Sequence, residues 1–273
     1  MKKLLAVLLA ALMLFAFAAC GGDKTATDTN ATASDLEYVK NNGKLIIGYT
    51  EFAPMNYYDA EGNFIGFETD FAKAICAELG VEAEFQLIKW SAKETELASK
   101  NIDCIWNGMT ITPERAEAMS ISTPYMANKQ VLVVRAADAE KYTTAEAMKG
   151  VAVVAEQESA GEEVITTDAF FADAEYTAVV DMATALKEVK AMTADACVVD
   201  YVTSIGMIGE GTDYADLVVV DAMSFADEQY GIAFRKGSDV TAAVNAAITK
   251  LVDNGTLADI AADYKLAEQI IAK

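Results

Sequence analysis

The chain has 273 residues, 53% of them hydrophobic, enough for a sizeable core in one large domain or two modest ones and incompatible with disorder throughout. A formal charge of −21 argues against a nucleic-acid partner, because phosphate binding needs a surplus of Lys and Arg on one face. The complete absence of His removes Ser-His-Asp and Cys-His catalysis, His-ligated zinc and the commonest general base, leaving carboxylate or lysine chemistry.

In chain order, Lys2 and Lys3 lead an apolar run from Leu4 to Ala19, which is short for a membrane span and has the n-region and h-region of a secretory signal. The run ends in FAFAAC, where Ala18 and Ala19 precede Cys20. This resembles the lipobox of bacterial lipoproteins, with Phe17 where Leu is usual; it implies a signal peptide over 1–20 and lipidation of Cys20. The alternative is ordinary cleavage that leaves a free Cys. GGDKTATDTNATASD, small, polar and aperiodic, reads as a flexible tether over 21–35, about 20 Å long on average.

KLIIGY (44–49) is the first predicted strand, and ETDFAKAICAELG a helix with Phe71, Ala74, Ile75 and Leu79 on one face and Gly80 as its stop. Strand-like EAEFQLI, DCIWNG and QVLVV follow, with a helical KETELASK between the first two. A second alternating series starts at VAVVA, continuing through helical SAGEEVITTDAFF, strand EYTAVV, helical MATALKEVKAM and strand DACVVD. The end of the chain, from GIAFRKGSD, gives a strand, a turn and two helices separated by Asn254 and Gly255. This alternation predicts two α/β lobes in series. NIDCIWNG and TADACVVD are analogous, each a polar helix end, an Asp and a buried strand. Ligands in open α/β sheets sit beyond the carboxyl ends of strands, so both strand ends are candidate walls of one site. Cys76, Cys104 and Cys197 lie in apolar contexts without metal or disulfide spacing and read as core residues.

The candidate site begins with an electrostatic misfit. In TITPERAEAM, Thr112 is an N-cap and Pro113 the first helical residue, so Arg115 falls in a first turn that favours anions and forgoes roughly 0.3–1 kcal/mol. A cation among unpaired amides makes sense if the two share an anion, with the Thr110 and Thr112 hydroxyls beside it. The alternative is an exposed Arg paired with Glu114 or Glu117. Ser159–Glu162, SAGE, is a capping box, and plain capping is the better reading of it taken alone; its small Ala160 and Gly161 would also admit an anion to the helix amides. Asp200, at the end of CVVD, either receives an ammonium group or caps the following helix. Phe52 and Trp90 offer aromatic faces, or belong to the core. An anion clamp, an ammonium acceptor and aromatic walls together describe the zwitterionic end of an amino acid.

The segments EFAPMNYYDAEGNFIGFETDFAKAICAELGV, NIDCIWNGMTITPERAEAMSISTPY and QYGIAFRKGSD, followed by NAAITKLVDNGTLADIAADY, resemble the polar amino acid family of extracellular solute-binding proteins that serve ABC importers. The G-x-T-I-T-x-E-R stretch is the strongest element of the likeness, which runs from about Lys44 to Leu266. The resemblance implies a two-lobed, periplasmic-binding-protein-like (type II) Venus-flytrap fold with two chain crossovers, near 130–135 and 224–230. Lobe 1 would comprise 36–129 and 228–273, and lobe 2 130–227. It further implies that Arg115 and Thr110 hold a ligand α-carboxylate with Ser159 and the Ala160 amide, that the Gly108 carbonyl and Asp200 take the α-ammonium, and that Phe52 and Trp90 flank the side chain. In the departures from the family pattern, the stretch 48–53 is one residue shorter, Tyr49 stands where Asp is common, and EQESAG replaces a glycine-rich loop, bringing Glu156 and Glu158 near the pocket.

The expected protein is therefore a monomeric, membrane-tethered receptor, without catalytic residues, metal or cofactor, that delivers a free amino acid to ABC permease subunits. Its place is the outer face of the cell membrane, periplasmic in a Gram-negative source. The rivals are a prephenate- or arogenate-type dehydratase on the same fold and a sensing module for a partner receptor. For the ligand side chain, Glu51, Glu156 and Glu158 suit a cation or amide, whereas Tyr49, Met55, Tyr57 and Trp106 suit an apolar group.

Overall fold

The computed structural model describes residues 34–273. The expected signal peptide, Cys20 and nearly all of the tether lie outside them. Ser34 and Asp35 do not continue a tether: Ser34 accepts from the Glu37 amide and caps helix α1 (Asp35–Asn42). The Ser34 hydroxyl and the Leu36 amide also bond the Asp239 carboxylate, so the first helix is fastened to a residue some 200 positions away.

Two five-stranded sheets organise these residues. The first has β1 (Lys44–Tyr49) flanked in parallel by β4 (Glu82–Leu87) and β5 (Cys104–Ile105), then β12 (Ala233–Phe234) and β6 (Ser120–Ile121) joined antiparallel. A small hairpin of β2 (Tyr57–Tyr58) and β3 (Phe64–Ile65) sits after β1. In the second sheet, β8 (Ala152–Glu156) pairs in parallel with β9 (Glu175–Val179) and β10 (Ala196–Asp200). Antiparallel β7 (Met126–Arg135) and β11 (Leu217–Tyr230) complete it. Parallel strands need covered faces. Helices α2 (Phe67–Leu79), α3 (Lys93–Ala98), α4 (Pro113–Ala118), α8 (Val240–Asp253) and α9 (Thr256–Asp263) serve the first sheet; α5 (Ala160–Thr167), α6 (Met182–Lys190) and α7 (Tyr201–Met207) serve the second.

The largest core lies under α2, where Phe67, Phe71, Ala72, Ile75 and Cys76 meet Tyr125, Trp106 and the Val240, Val244, Ile248 and Leu251 stripe of α8. Two further clusters pack the faces of the second sheet around Leu132, Val153 and Val198 and around Val131, Leu186 and Val199. All three described cysteines are buried, and burial pushes the Cys76 thiol up to about 12, so they are inert core residues.

The likeness between the two Asp-containing segments extends to geometry. Asp103 accepts from the Ile46 amide of β1 and from Arg235, which also donates to the carbonyl of Ile102 at 2.8 Å. Asp195 accepts from the Ala152 amide of β8 and from Arg135, which donates to the carbonyl of Ala194 at 2.8 Å. Each lobe thus has one guanidinium clamping a helix end, an aspartate and a strand.

The lobes touch across the cleft. Gly206 of α7 lies against Pro54, close enough that a Cβ there would come within 2.5 Å of the proline ring, and Lys93 of α3 pairs with Glu158 at 3.8 Å. Among the described residues no helix is long and apolar enough to cross a membrane.

Candidate functional site

The carboxyl ends of β1 and β5 are tied together by Thr50 and Asn107, the Thr50 hydroxyl donating to Asn107 Oδ1 at 2.6 Å and Asn107 Nδ2 to the Thr50 carbonyl at 3.0 Å. The chain then turns at Gly108, where φ is +57° and any Cβ would lie 2.5 Å from the Phe52 ring, so glycine alone fits. The Gly108 amide donates to buried Glu68, which also accepts from Asn56 and from the Tyr125 hydroxyl. Burial pushes Glu68 up to about 7 against these stabilising bonds. Glu68 therefore fixes the amide on the N-terminal side of Gly108, and with it the turn that presents the Gly108 carbonyl, the expected ammonium acceptor.

Thr110 opposes Tyr230 in an isolated antiparallel bridge, with bonds on either side from the Ile111 amide to Gln229 and from the Gly231 amide to Met109. That pairing turns the Thr110 amide and carbonyl to the far side, and there Arg115 Nη1 donates to the carbonyl at 2.9 Å. The Thr110 hydroxyl donates to Glu228 at 3.2 Å, so its amide is the group left for an anion. Thr112 caps α4 by accepting from the Arg115 amide at 3.2 Å, and Pro113 is its first residue. The suggested pairing of Arg115 with Glu114 or Glu117 does not form: among the described residues Arg115 makes no ion pair within 4.0 Å. Burial lowers its pKa while Glu94, Glu163, Glu228 and Asp200 oppose that effect, so it stays a cation.

From the second sheet, Ser159 caps α5 by accepting from the Glu162 amide at 3.2 Å, and Glu162 returns a bond to the Glu158 amide instead of to Ser159 itself. Gly161 is small for an internal reason: a Cβ there would come within 2.8 Å of the Val198 carbonyl and 3.2 Å of Gln130. Its size seats α5 on the sheet. Asp200 begins α7 without capping it. Its carboxylate accepts from Gln130 and, at 2.6 Å, from the Tyr230 hydroxyl, both from strands that connect the lobes. Burial raises Asp200 and neighbouring Glu228 above the ordinary carboxylate range.

Phe52, Trp90, Gly108, Thr110, Arg115, Glu156, Ser159, Ala160 and Asp200 all line one cavity between the lobes, together with Thr50, Glu51, Asn107 and Met182. Thr50, Asn107 and Met182 are additions, whereas Glu51 was expected beside the ligand side chain; Thr50 and Asn107 carried a usable signal in their places just after strands. The second layer of Glu68, Gln130, Glu228 and Tyr230 carried none. Tyr49, Met55, Tyr57 and Trp106 are absent from the wall. Tyr49 packs on Phe64 and Phe85, Met55 is fully buried in the first core, and Trp106 meets Phe71 edge to face. Glu158 turns out to Lys93.

A family model described as bacterial extracellular solute-binding proteins, family 3, matches residues 45–267. The arginine-binding extracellular protein ArtP of Bacillus subtilis (strain 168) is 29% identical over 94% of this chain and 95% of its own length. The L-cystine-binding protein TcyJ of Escherichia coli (strain K12) is 30% identical, covering 81% of this chain and 82% of its own. Among solved structures, the ancestral amino acid-binding protein AncCDT-1, a precursor of cyclohexadienyl dehydratase, superposes with a TM-score of 0.76 at 30% identity, over 85% of this chain and 99% of that one.

Proposed function

The chain belongs to the bacterial extracellular solute-binding proteins, family 3, and we propose that it captures one free amino acid in the interlobe cavity and presents it to the permease of an ABC importer. The observation that carries this reading is the arrangement of Arg115 and Asp200, two charged groups from opposite lobes that face one cavity without pairing with each other. Arg115 and the amides of Thr110 and Ala160 hold the α-carboxylate, with the Ser159 hydroxyl beside them. Asp200 and the Gly108 carbonyl take the α-ammonium, and Phe52 and Trp90 bound the side chain. Lobe 1 is formed by 34–129 and 228–273 and lobe 2 by 130–227, closing as rigid bodies about the β7–β11 ladder. Contacts made by both lobes at once shift an open–closed equilibrium toward the form a permease reads, so no catalytic step or cofactor is needed.

The protein acts as an exported monomer, cleaved before Cys20 and held by a lipid on that residue at the outer face of the membrane. The named relatives bind different amino acids, arginine and cystine, so relatedness alone selects no cargo. A dehydratase acting on prephenate, a dicarboxylate, would need to seat two anions in a wall that offers one arginine beside Glu51, Glu156 and Asp200. A sensing role would need a partner receptor that co-purifies from membranes. The test is thermal unfolding of ligand-stripped protein against all L-amino acids and prephenate. A ligand specific to the folded state adds about 2.7 kcal/mol at a hundredfold excess over Kd. Stabilisation by an amino acid supports the receptor; response to prephenate alone overturns it.

A further inference from the structure

Once the zwitterionic head of an amino acid is seated, the cavity still holds a buried carboxyl with nothing to answer it. Glu156 ends β8 and is only 4% exposed, and its Oε1 is buried without a hydrogen-bond partner. Among the described residues no other side chain of the wall is left in this state, since the carboxylate of Asp200 is bonded by Gln130 and Tyr230. A buried carboxyl without partners is costly in an interior, and it is normally paired, hydrogen-bonded or directed at a ligand.

The charges that face Glu156 do not neutralise it. From β10 comes Asp200 and from the start of α6 Asp181, both acidic; from α3 comes Lys93, the opposing cation. Lys93 is already engaged, with its Nζ 3.4 Å from the carbonyls of Trp90 and Glu158, 3.8 Å from the Glu158 carboxylate and 4.8 Å from the centre of the Trp90 ring. Of the lining residues, Glu51, Glu156 and Asp200 are acidic and Arg115 is basic. The ligand carboxylate occupies Arg115 and the ligand ammonium occupies Asp200. Glu156, and Glu51 at the more exposed rim, then remain for the side chain.

Resting on the amino acid reading, we propose that this cavity selects a side chain that ends in a cation, a guanidinium or a primary ammonium, received by the Glu156 carboxylate between the aromatic walls of Phe52 and Trp90. An uncharged amide of the same length leaves Glu156 to be buried as a neutral acid, toward which burial already drives it. An acidic side chain meets two carboxylates. Aromatic faces are indifferent to an amide but attract a cation, which adds to the discrimination.

The experiment is isothermal titration of ligand-stripped full-length protein and of Glu156→Gln with L-arginine, L-lysine, L-citrulline and L-glutamine, alongside the other L-amino acids. Citrulline differs from arginine in having an uncharged urea in place of the guanidinium. A charge-assisted bond of the usual strength predicts that arginine or lysine binds about 10- to 100-fold tighter than its neutral counterpart, and that Glu156→Gln abolishes most of that ratio. Citrulline or glutamine binding as tightly as both cations in the unmodified protein overturns the proposal, whatever the variant does. So does tight binding of some other neutral or acidic amino acid alone, which leaves the receptor reading standing. Failure of every amino acid removes both. A Glu156→Gln protein that unfolds at the unmodified temperature and keeps full preference for the cation also overturns it.

Discussion

Replacing Gly206 by Ala tests whether the contact between the lobes belongs to the closed state alone. An ideal Cβ at this position lies 2.5 Å from Pro54 Cδ, 2.7 Å from its nitrogen and 3.0 Å from its Cβ. Carbon atoms rest at about 3.5–4.0 Å, so the shortest of these is about 1 Å too close. The obstacle is a ring fused to the backbone, which cannot rotate aside. Overpacking of this kind costs about 1–3 kcal/mol, and here relief comes simply from opening the cleft. With the lobes apart the same substitution replaces a glycine within α7 by the best helix former, a gain of up to about 1 kcal/mol. Ligand affinity should therefore fall about 5- to 150-fold while the ligand-free protein keeps or slightly raises its unfolding temperature. Titration calorimetry with the cargo of the unmodified protein, paired with thermal unfolding without it, reads both quantities. An unchanged Kd refutes the reasoning. An equal loss of ligand-free stability refutes it too, because the contact would then persist when the cleft is empty.

Arg115→Ala should leave the unfolding temperature near that of the parent and weaken binding more than about 30-fold, as expected for removing one partner of a buried charged pair; unchanged affinity would sink the carboxylate assignment. Gly108→Ala should harm both folding and binding, since its φ of +57° and the 2.5 Å approach to Phe52 exist in every state of lobe 1; calorimetry showing native stability would contradict the requirement for glycine. Glu68, raised from 4.5 to about 7, with Asp200 and Glu228 also raised, holds its proton to higher pH when folded than when unfolded. That contribution to stability is full below about pH 4.5 and is lost as pH rises through about 7, so the unfolding temperature should be higher at pH 6 than at pH 8. The reverse order would show that these carboxyls are ionised in the fold. Lys93→Met should speed ligand release by up to about fivefold through loss of the bonds to Glu158, measured by stopped-flow; a slower release would refute its role across the cleft.

Much of the site was legible because its anchors obey local rules. Thr112, Pro113 and Ser159 occupy the capping positions their residue types predict. Arg115 stood out by violating one such rule. The β1, β8 and β10 strands and the α2 and α8 helices follow from apolar runs and periodicity. What failed depends on partners distant in sequence. Asp200 could be read as a cap because Gln130 and Tyr230, which hold it instead, lie 70 and 30 residues away. Tyr49, Met55 and Trp106 adjoin site residues along the chain yet turn into the core, a distinction set by packing against Phe64, Phe85 and Phe71. The strand Leu217–Tyr230 escaped detection as a whole because its pairing with β7 shifts register between Val219 and Ser224 and again between Ser224 and Asp227, which breaks the alternation on which a strand is recognised. Helix α1 is eight residues long and is held by Asp239, a tie no local window contains.

The paired clamps of Arg235 and Arg135 bear on how the molecule turns binding into a signal. Each guanidinium locks a helix end, an aspartate and a neighbouring strand into one unit, at equivalent places on the two sides of the cleft. If the lobes close as proposed, jaws stiffened in this way would absorb little of the work that a ligand does by drawing them together, and the displacement would pass to their joint and to the outer rims. A permease docked on those rims would then register a change in spacing set by the size of the cargo, so that the protein would behave as a caliper whose reading depends on what it holds.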